Sequence, residues 1–310
     1  MRNVNSAAGA VVNLNDAANL RDVTINYPNA TYAVPSFTAS SLRDLSVYAK
    51  GITLAGALTS NNGNIELYQA DKGTGFTINQ DINTLAGGIR LLSDNGLTVS
   101  ASKVIGKLTT GSIDLWADAS GSGLGTLTLS AGAVVGNPQT TSDITLKAAD
   151  LALNATSLVL QGAGKVVLKP STLDAIAYLG DFVAPLPPVP AGTFAVSGAE
   201  LARIFSSGLV EIGSTAQVGD IAIGNIALTS NTFSTLRLVG SSASSALLVG
   251  NANLRTFGIG VDFDVNLDLA DKLLIIDTTQ AGFYPLGADI LFGKQVDSDR
   301  TLTLSGGSLS

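Results

Sequence analysis

The 310-residue chain contains no cysteine and no histidine. Those two absences remove disulfide staples, the usual thiol nucleophile, the commonest general base and the two commonest transition-metal ligands. Any enzyme built on this chain must work with carboxylates, serine, lysine or tyrosine. Aromatic residues make up only 5% and charged residues 13%, so large anchors and ionic contacts are both sparse. Lysine plus arginine number 17 against 24 acidic residues, a net charge of −7. Nucleic acid and anionic membrane, which reward clustered cations, are therefore poor partners. No run of 18 apolar residues exists. The most hydrophobic neighbourhood, FVAPLPPVPAG from Phe182 to Gly192, is broken by four prolines, so no membrane-spanning segment is expected. The opening MRNVNSAAGAVVNLND has no apolar stretch of signal length, and an exported form of this chain is read as a mature segment.

What is present is small and aliphatic. Hydrophobic residues reach 45% and glycine alone fills 34 positions. The chain repeats a short phrase: Gly63-Asn-Ile65-Glu-Leu67, Gly88-Ile89-Arg-Leu91, Gly111-Ser-Ile113-Asp-Leu115, then Asp143-Ile144-Thr-Leu146. Ile65, Ile89 and Ile113 stand 24 apart and Ile144 follows after 31. Between them lie second phrases: Phe76 with Ile78, Leu97 with Val99, Leu127 with Leu129, Leu151 with Leu153, then Leu158 with Leu160. Period-2 alternation puts both apolar members of a phrase on one strand face, and glycine, asparagine and aspartate between phrases supply turns. A unit of two or three such strands cannot bury its apolar face alone, whereas stacked units form a continuous core. The reading is an all-β fold, a parallel β-solenoid with insertions near Asn137 and Asn154. A sandwich or barrel explains the alternation equally well but not the recurring Gly-x-Ile-x-Leu phrase.

The prolines divide the chain into coils over 1–181, a crossing segment over 182–196, and a helix with continued strands over 197–310. Ser197 with Glu200 three residues later forms a capping box, after which Leu201, Ile204 and Phe205 share a helical face and Gly208 offers a stop. The longest alternation follows. Phe257, Ile259, Val261, Phe263, Val265, Leu267 and Leu269 face one way, and Asp262, Asp264, Asn266 and Asp268 the other.

The Gly-x-Ile-x-Leu coils, with Ser197-Gly-Ala-Glu200-Leu201-Ala-Arg203-Ile204 and Gly208-Leu209-Val210-Glu211-Ile212-Gly213, resemble the repeat regions of filamentous-haemagglutinin-like exoproteins of Gram-negative bacteria. The resemblance covers most of residues 45–230. It implies a right-handed parallel β-helix, exported to the cell surface as an elongated stalk or adhesive surface. The family's secretion motif Asn-Pro-Asn is only approximated by Tyr27-Pro28-Asn29 and Asn137-Pro138-Gln139.

The row Asp262, Asp264 and Asp268 is the sharpest candidate for chemistry: oxygen ligands for Ca²⁺, hydrogen bonds to a polysaccharide, or an acid/base pair for glycoside cleavage. The plain alternative is the solvated face of an amphipathic strand. Parallel β-helices also scaffold pectin-degrading lyases and hydrolases, whose sites need cations on adjacent coils. Here Lys50, Lys72, Arg90, Lys103, Lys107 and Lys147 are scattered singly. Trp116 and Tyr68 offer faces for sugar stacking or simply core packing. Gly121, Gly123 and Gly125 precede no Lys-Ser/Thr, so no phosphate loop forms. Thr126-Leu-Thr128 stands isolated, against an ice-binding array. The expectation is therefore a non-enzymatic, extracellular structural or adhesive element at the bacterial cell surface, with no cofactor. Its partners would be a host or matrix glycan or protein receptor, and a second copy end to end. The alternative is a polysaccharide-active β-helix enzyme using the three aspartates.

Overall fold

The computed structural model describes residues 2–5, 22–39, 44–182, 188–190, 192–279, 287–297 and 302–307. Among these the chain is almost all strand, wound into a parallel β-solenoid of about 11 turns with one short helix. It divides into two compact units, 1–164 and 165–310. The proline-rich crossing read at 182–196 lies in part outside the described residues, at 183–187 and 191.

In the first unit three sheets surround one core. The first sheet stacks Asp44–Leu54, Asn64–Gln69, Ile89–Ser93, Ile113–Trp116 and Ile144–Ala148; the second stacks Phe76–Ile78, Leu97–Val99, Thr126–Leu129 and Asp150–Leu153. The third runs from Phe37–Ala39 through Leu58–Ser60, Ile82–Thr84, Val104–Ile105 and Val134–Gly136 to Leu158–Gln161. Pairing is parallel and in register, so Ile65, Ile89, Ile113 and Ile144 form one column and Leu67, Leu91, Leu115 and Leu146 the next. All eight are buried. Each contributes roughly 1.5–3 kcal/mol of apolar burial, and the column repeats that gain on every coil.

The glycine of the phrase has a cause in this stacking. A Cβ on Gly87 would collide with the Gly63 carbonyl, and one on Gly111 with the Gly87 carbonyl. Neither has a positive φ, so the demand is for close approach between coils rather than for an unusual backbone. Next to these glycines the third sheet turns the corner on buried polar side chains. Thr109 Oγ1 donates to Thr84 O (3.1 Å), Thr140 Oγ1 donates to Thr109 O (2.9 Å), and Gln161 Nε2 donates to Thr140 O (3.1 Å). Thr109 O also accepts from Asn137 Nδ2 (2.9 Å) and Thr140 O from Gly162 N (2.9 Å), so the corner carbonyls facing the core are kept partnered where an unmet one would cost about 1–3 kcal/mol.

Three local expectations are corrected. The extra residues between Ile113 and Ile144 enter chiefly not at Asn137 but between the first and second sheets: Ile89 and Leu97 are 8 apart, Ile113 and Leu127 are 14 apart. They form a loop held by the buried Asp118, whose Oδ1 accepts from Ser122 N (2.9 Å) and Oδ2 from Gly123 N (2.7 Å). Asn154 carries no insertion: Leu127 to Val135 and Leu151 to Val159 span the same 8 residues. In Leu158–Gln161 the phase is opposite to that expected. Val159 and Gln161 point inward and Leu158 and Leu160 are half-buried, because Val159 pairs with the buried Val135.

In the second unit, the first sheet stacks Val166–Pro170, Leu209–Gly213, Thr235–Val239, Gly260–Asp264 and Ile290–Phe292. The second includes Ala177–Leu179, Ile221–Ile223, Ser245–Leu248, Asn266–Asp268 and Val296–Asp297, and the third Ile226–Ala227, Ala252–Arg255, Leu274–Asp277 and Leu302–Ser305. The helix is Gly198–Leu201, with both halves of the Ser197/Glu200 capping box made. It stops earlier than the helical face suggested. Ile204–Ser206 is already a strand, with Ile204 buried and Phe205 exposed, and Ser206 N donates to Thr232 O (2.8 Å). A coil neighbour outcompetes the next helical turn.

The glycine contact gives a first test. Gly87→Ala and Gly111→Ala should each cost about 2 kcal/mol or more in urea unfolding. Gly73→Ala, whose Cβ would meet only Asp71 Oδ1 at 3.4 Å, should be near neutral. Equal losses at all three positions would refute the close-approach explanation.

Candidate functional site

The long alternation of the second unit is not one strand. Ile259 to Leu269 do keep a single buried phase, with Phe257 half-buried at φ +57°, but the run is split between Gly260–Asp264 in the first sheet and Asn266–Asp268 in the second. A solenoid corner preserves inside and outside while changing the sheet, so all the aspartates face outward in two directions.

Asp262 and Asp264 stay together, and a cation joins them. Arg237 Nη2 donates to Asp264 Oδ2 at 2.7 Å, while Arg237 Nε lies 3.1 Å from Asp262 Oδ2, an ion pair set off the line a hydrogen bond requires. Register makes this pairing: Arg237 is the direct cross-strand neighbour of Asp262 on one side and of Glu211 on the other. Glu211 is 7% exposed and is held by Lys165 Nζ at 3.1 and 3.3 Å. Burial raises the pKa of Asp262 above the ordinary carboxylate value, against the lowering effect of Arg237 and with a further rise from Asp264.

Asp268 belongs to a different neighbourhood. It lies beside Asp297 in the second sheet and accepts from Ala270 N (2.8 Å), capping a turn in which Ala270 and Asp271 take φ values of +44° and +62°. The three aspartates therefore do not converge. Among the described residues no group of three or more acidic side chains is placed to hold a metal ion.

The first unit carries the same order of charge at the same place in the phrase. Glu66, Arg90 and Asp114 occupy one column, as do Glu211, Arg237 and Asp262, each with the cation in the middle. Arg90 Nη1 lies 3.4 Å from Glu66 Oε2 with both side chains about two-fifths exposed. Arg90, which reads as isolated in sequence, and Arg237 thus each stand between two carboxylates in a column. Where the second unit has Asp264, two residues beyond its charge column, the first has Trp116. Arg90 from the preceding coil and Lys147 from the following one lie 4.6 and 4.9 Å from its ring centroid. Two cations flank the indole, so it serves as a spacer between them rather than as a free platform for sugar stacking.

Tyr68 packs edge-on against Tyr48 at 5.2 Å and donates its hydroxyl to Asp94 Oδ1 (2.9 Å). Burial first, then the hydrogen bond to Asp94, pushes its pKa up to about 12, so it is no base near neutrality. One row escaped the sequence reading. Thr77, Thr98 and Thr128 form an in-register column on the outside of the second sheet, so Thr128 is not isolated. Only the spacing of the strands, not any local motif, could have aligned them.

No family model matches the chain, and no curated protein or solved structure matches it. The β-solenoid is what the structure shares with the filamentous-haemagglutinin-like resemblance. Among the described residues no helix is long and apolar enough to cross a membrane.

The charge column predicts distinct effects for its members. Arg237→Met leaves three carboxylates with one cation and should cost about 1–2 kcal/mol, between the values for exposed and buried pairs. Asp262 has a raised folded pKa, so its ionisation opposes folding. That penalty is absent below the unfolded pKa and grows as pH rises through the raised folded value. The stability of Asp262→Asn relative to wild type should therefore improve from pH 3 to pH 7, read by urea unfolding. A decline over that range would show that the ion pair outweighs burial.

Proposed function

We propose that the chain is a structural and adhesive segment of a large secreted bacterial surface protein, presenting flat outer faces to a host or matrix receptor. One observation carries this reading: in each unit three outward charges form a carboxylate–cation–carboxylate column along the coil stack, set side by side instead of gathered around a reacting point. Arg237 occupies Asp262 and Asp264 together, and Asp268 faces another way. Such a surface suits binding spread across many coils. The solenoid core beneath it supplies rigidity, since every coil is paired on its neighbours through backbone ladders.

A second reading, a polysaccharide-active β-helix enzyme, draws on the raised pKa of Asp262, which favours a carboxyl able to hold a proton as a general acid. Two experiments separate the readings. On a glycan and extracellular-matrix array the intact protein should bind at least one ligand and retain it, and no polysaccharide in a matched panel should be shortened. Cleavage that disappears in Asp262→Asn and Asp264→Asn would replace the adhesive reading with the enzymatic one.

A further inference from the structure

The first unit's second sheet is interrupted at one place. Strand Phe76–Ile78 is an edge of its four-stranded sheet, whereas 51–54 of the preceding coil pair with 31–34 on their other side. On this wall alone the backbone ladder is replaced by one side chain, while the same coils stay paired through 44–49 with 64–69 and 58–60 with 82–84. Gln69 is 3% exposed; its Oε1 accepts from Ile52 N (2.9 Å) and its Nε2 donates to Thr74 O (2.9 Å). The carboxamide props the two walls apart.

The opening is a groove of about 280 Å³, lined by Thr31, Thr53, Leu54, Thr77 and Asn79 over the Gln69 prop. Thr31, Thr53, Thr77 and Asn79 are exposed, and their side chains make no hydrogen bond among the described residues. They come from successive coils and converge on one trough. The lining holds no charged side chain. The nearby Asp71 is turned back onto its own loop, accepting from Gly73 N (2.9 Å) and Thr74 Oγ1 (2.8 Å).

The chemistry narrows the occupant. An anion such as a phosphate or uronate would find no counter-charge in the lining, and its desolvation would go uncompensated. A peptide strand would have to enter between the walls and pair with both, but Gln69 already spans them. Three hydroxyls and an amide both donate and accept, matching ligand groups that do the same. The volume sits at the small end of ligand pockets, suited to one ring.

We propose that this groove binds one neutral hexose unit of a glycan, through hydrogen bonds from Thr31, Thr53, Thr77 and Asn79 to the sugar hydroxyls. The proposal deepens the adhesive reading, and rests on it for its role, by naming the ligand class and the subsite.

The test titrates the intact protein with glucose, galactose, mannose and N-acetylglucosamine, with galacturonate as the charged control, following amide shifts by NMR. At least one neutral sugar should bind saturably, with a Kd on the order of 1 mM. Thr53→Val with Thr77→Val, near-isosteric changes on the surface, should weaken it about tenfold or more while the thermal unfolding curve is unchanged. Thr98→Val with Thr128→Val, in the unbroken part of the same sheet, should leave binding intact. Absence of saturable binding by every neutral sugar, equal binding of galacturonate, or an equal loss from the Thr98/Thr128 pair would each overturn the proposal. Array binding that survives the Thr53/Thr77 substitutions would sink the groove and leave the adhesive role standing. Sugar binding in the groove by a protein that retains no array ligand would do the reverse.

Discussion

Coil-on-coil register is the constraint on which the rest of this structure depends. Parallel strands about 4.8 Å apart place each residue beside the residue at the same phase of the next coil. For apolar side chains like against like is favourable, and Ile65, Ile89, Ile113 and Ile144 stack accordingly. For the backbone it demands room, which Gly87 and Gly111 leave by having no side chain. For charges it is unfavourable, because like charges directly opposite repel. The order Glu66, Arg90, Asp114 and the order Glu211, Arg237, Asp262 answer that demand in each unit.

The same geometry governs what the outer surface can do. Side chains that approach one another across coils are held in flat rows, so carboxylates meet cations before they meet a ligand. Departures from the rows are then the informative places. Gln69 marks one, where a side-chain amide stands in for ladder bonds. The loop held by Asp118 marks another, where the coil lengthens without disturbing the Ile113 or Leu127 columns.

Much of the fold was legible in the sequence because its two strongest signals are local. The Gly-x-Ile-x-Leu phrase carries both the apolar phase and the close-approach glycine, and the Ser197/Glu200 box is complete within four residues. What was not legible depends on neighbours far along the chain. The inward phase of Val159 is set by Val135, the early end of the helix by Thr232, and the separation of Asp264 from Asp268 by a corner that alternation passes through without a mark. The candidate site failed to read as a unit for that reason. Arg237 is 25 residues from Asp262 in sequence, and only the register places it between Glu211 and the two aspartates.

The alternating columns also give each coil an address. Were the coil carrying Arg90 excised, Ile65 would still find Ile113 and Leu67 would find Leu115, yet Glu66 would come to rest on Asp114. Loss of the Arg237 coil would likewise set Glu211 against Asp262. Hydrophobic periodicity alone would let such a chain lose a middle coil with its apolar columns intact; the sign of the outward residue on three coils of each unit sets a charge penalty against that loss.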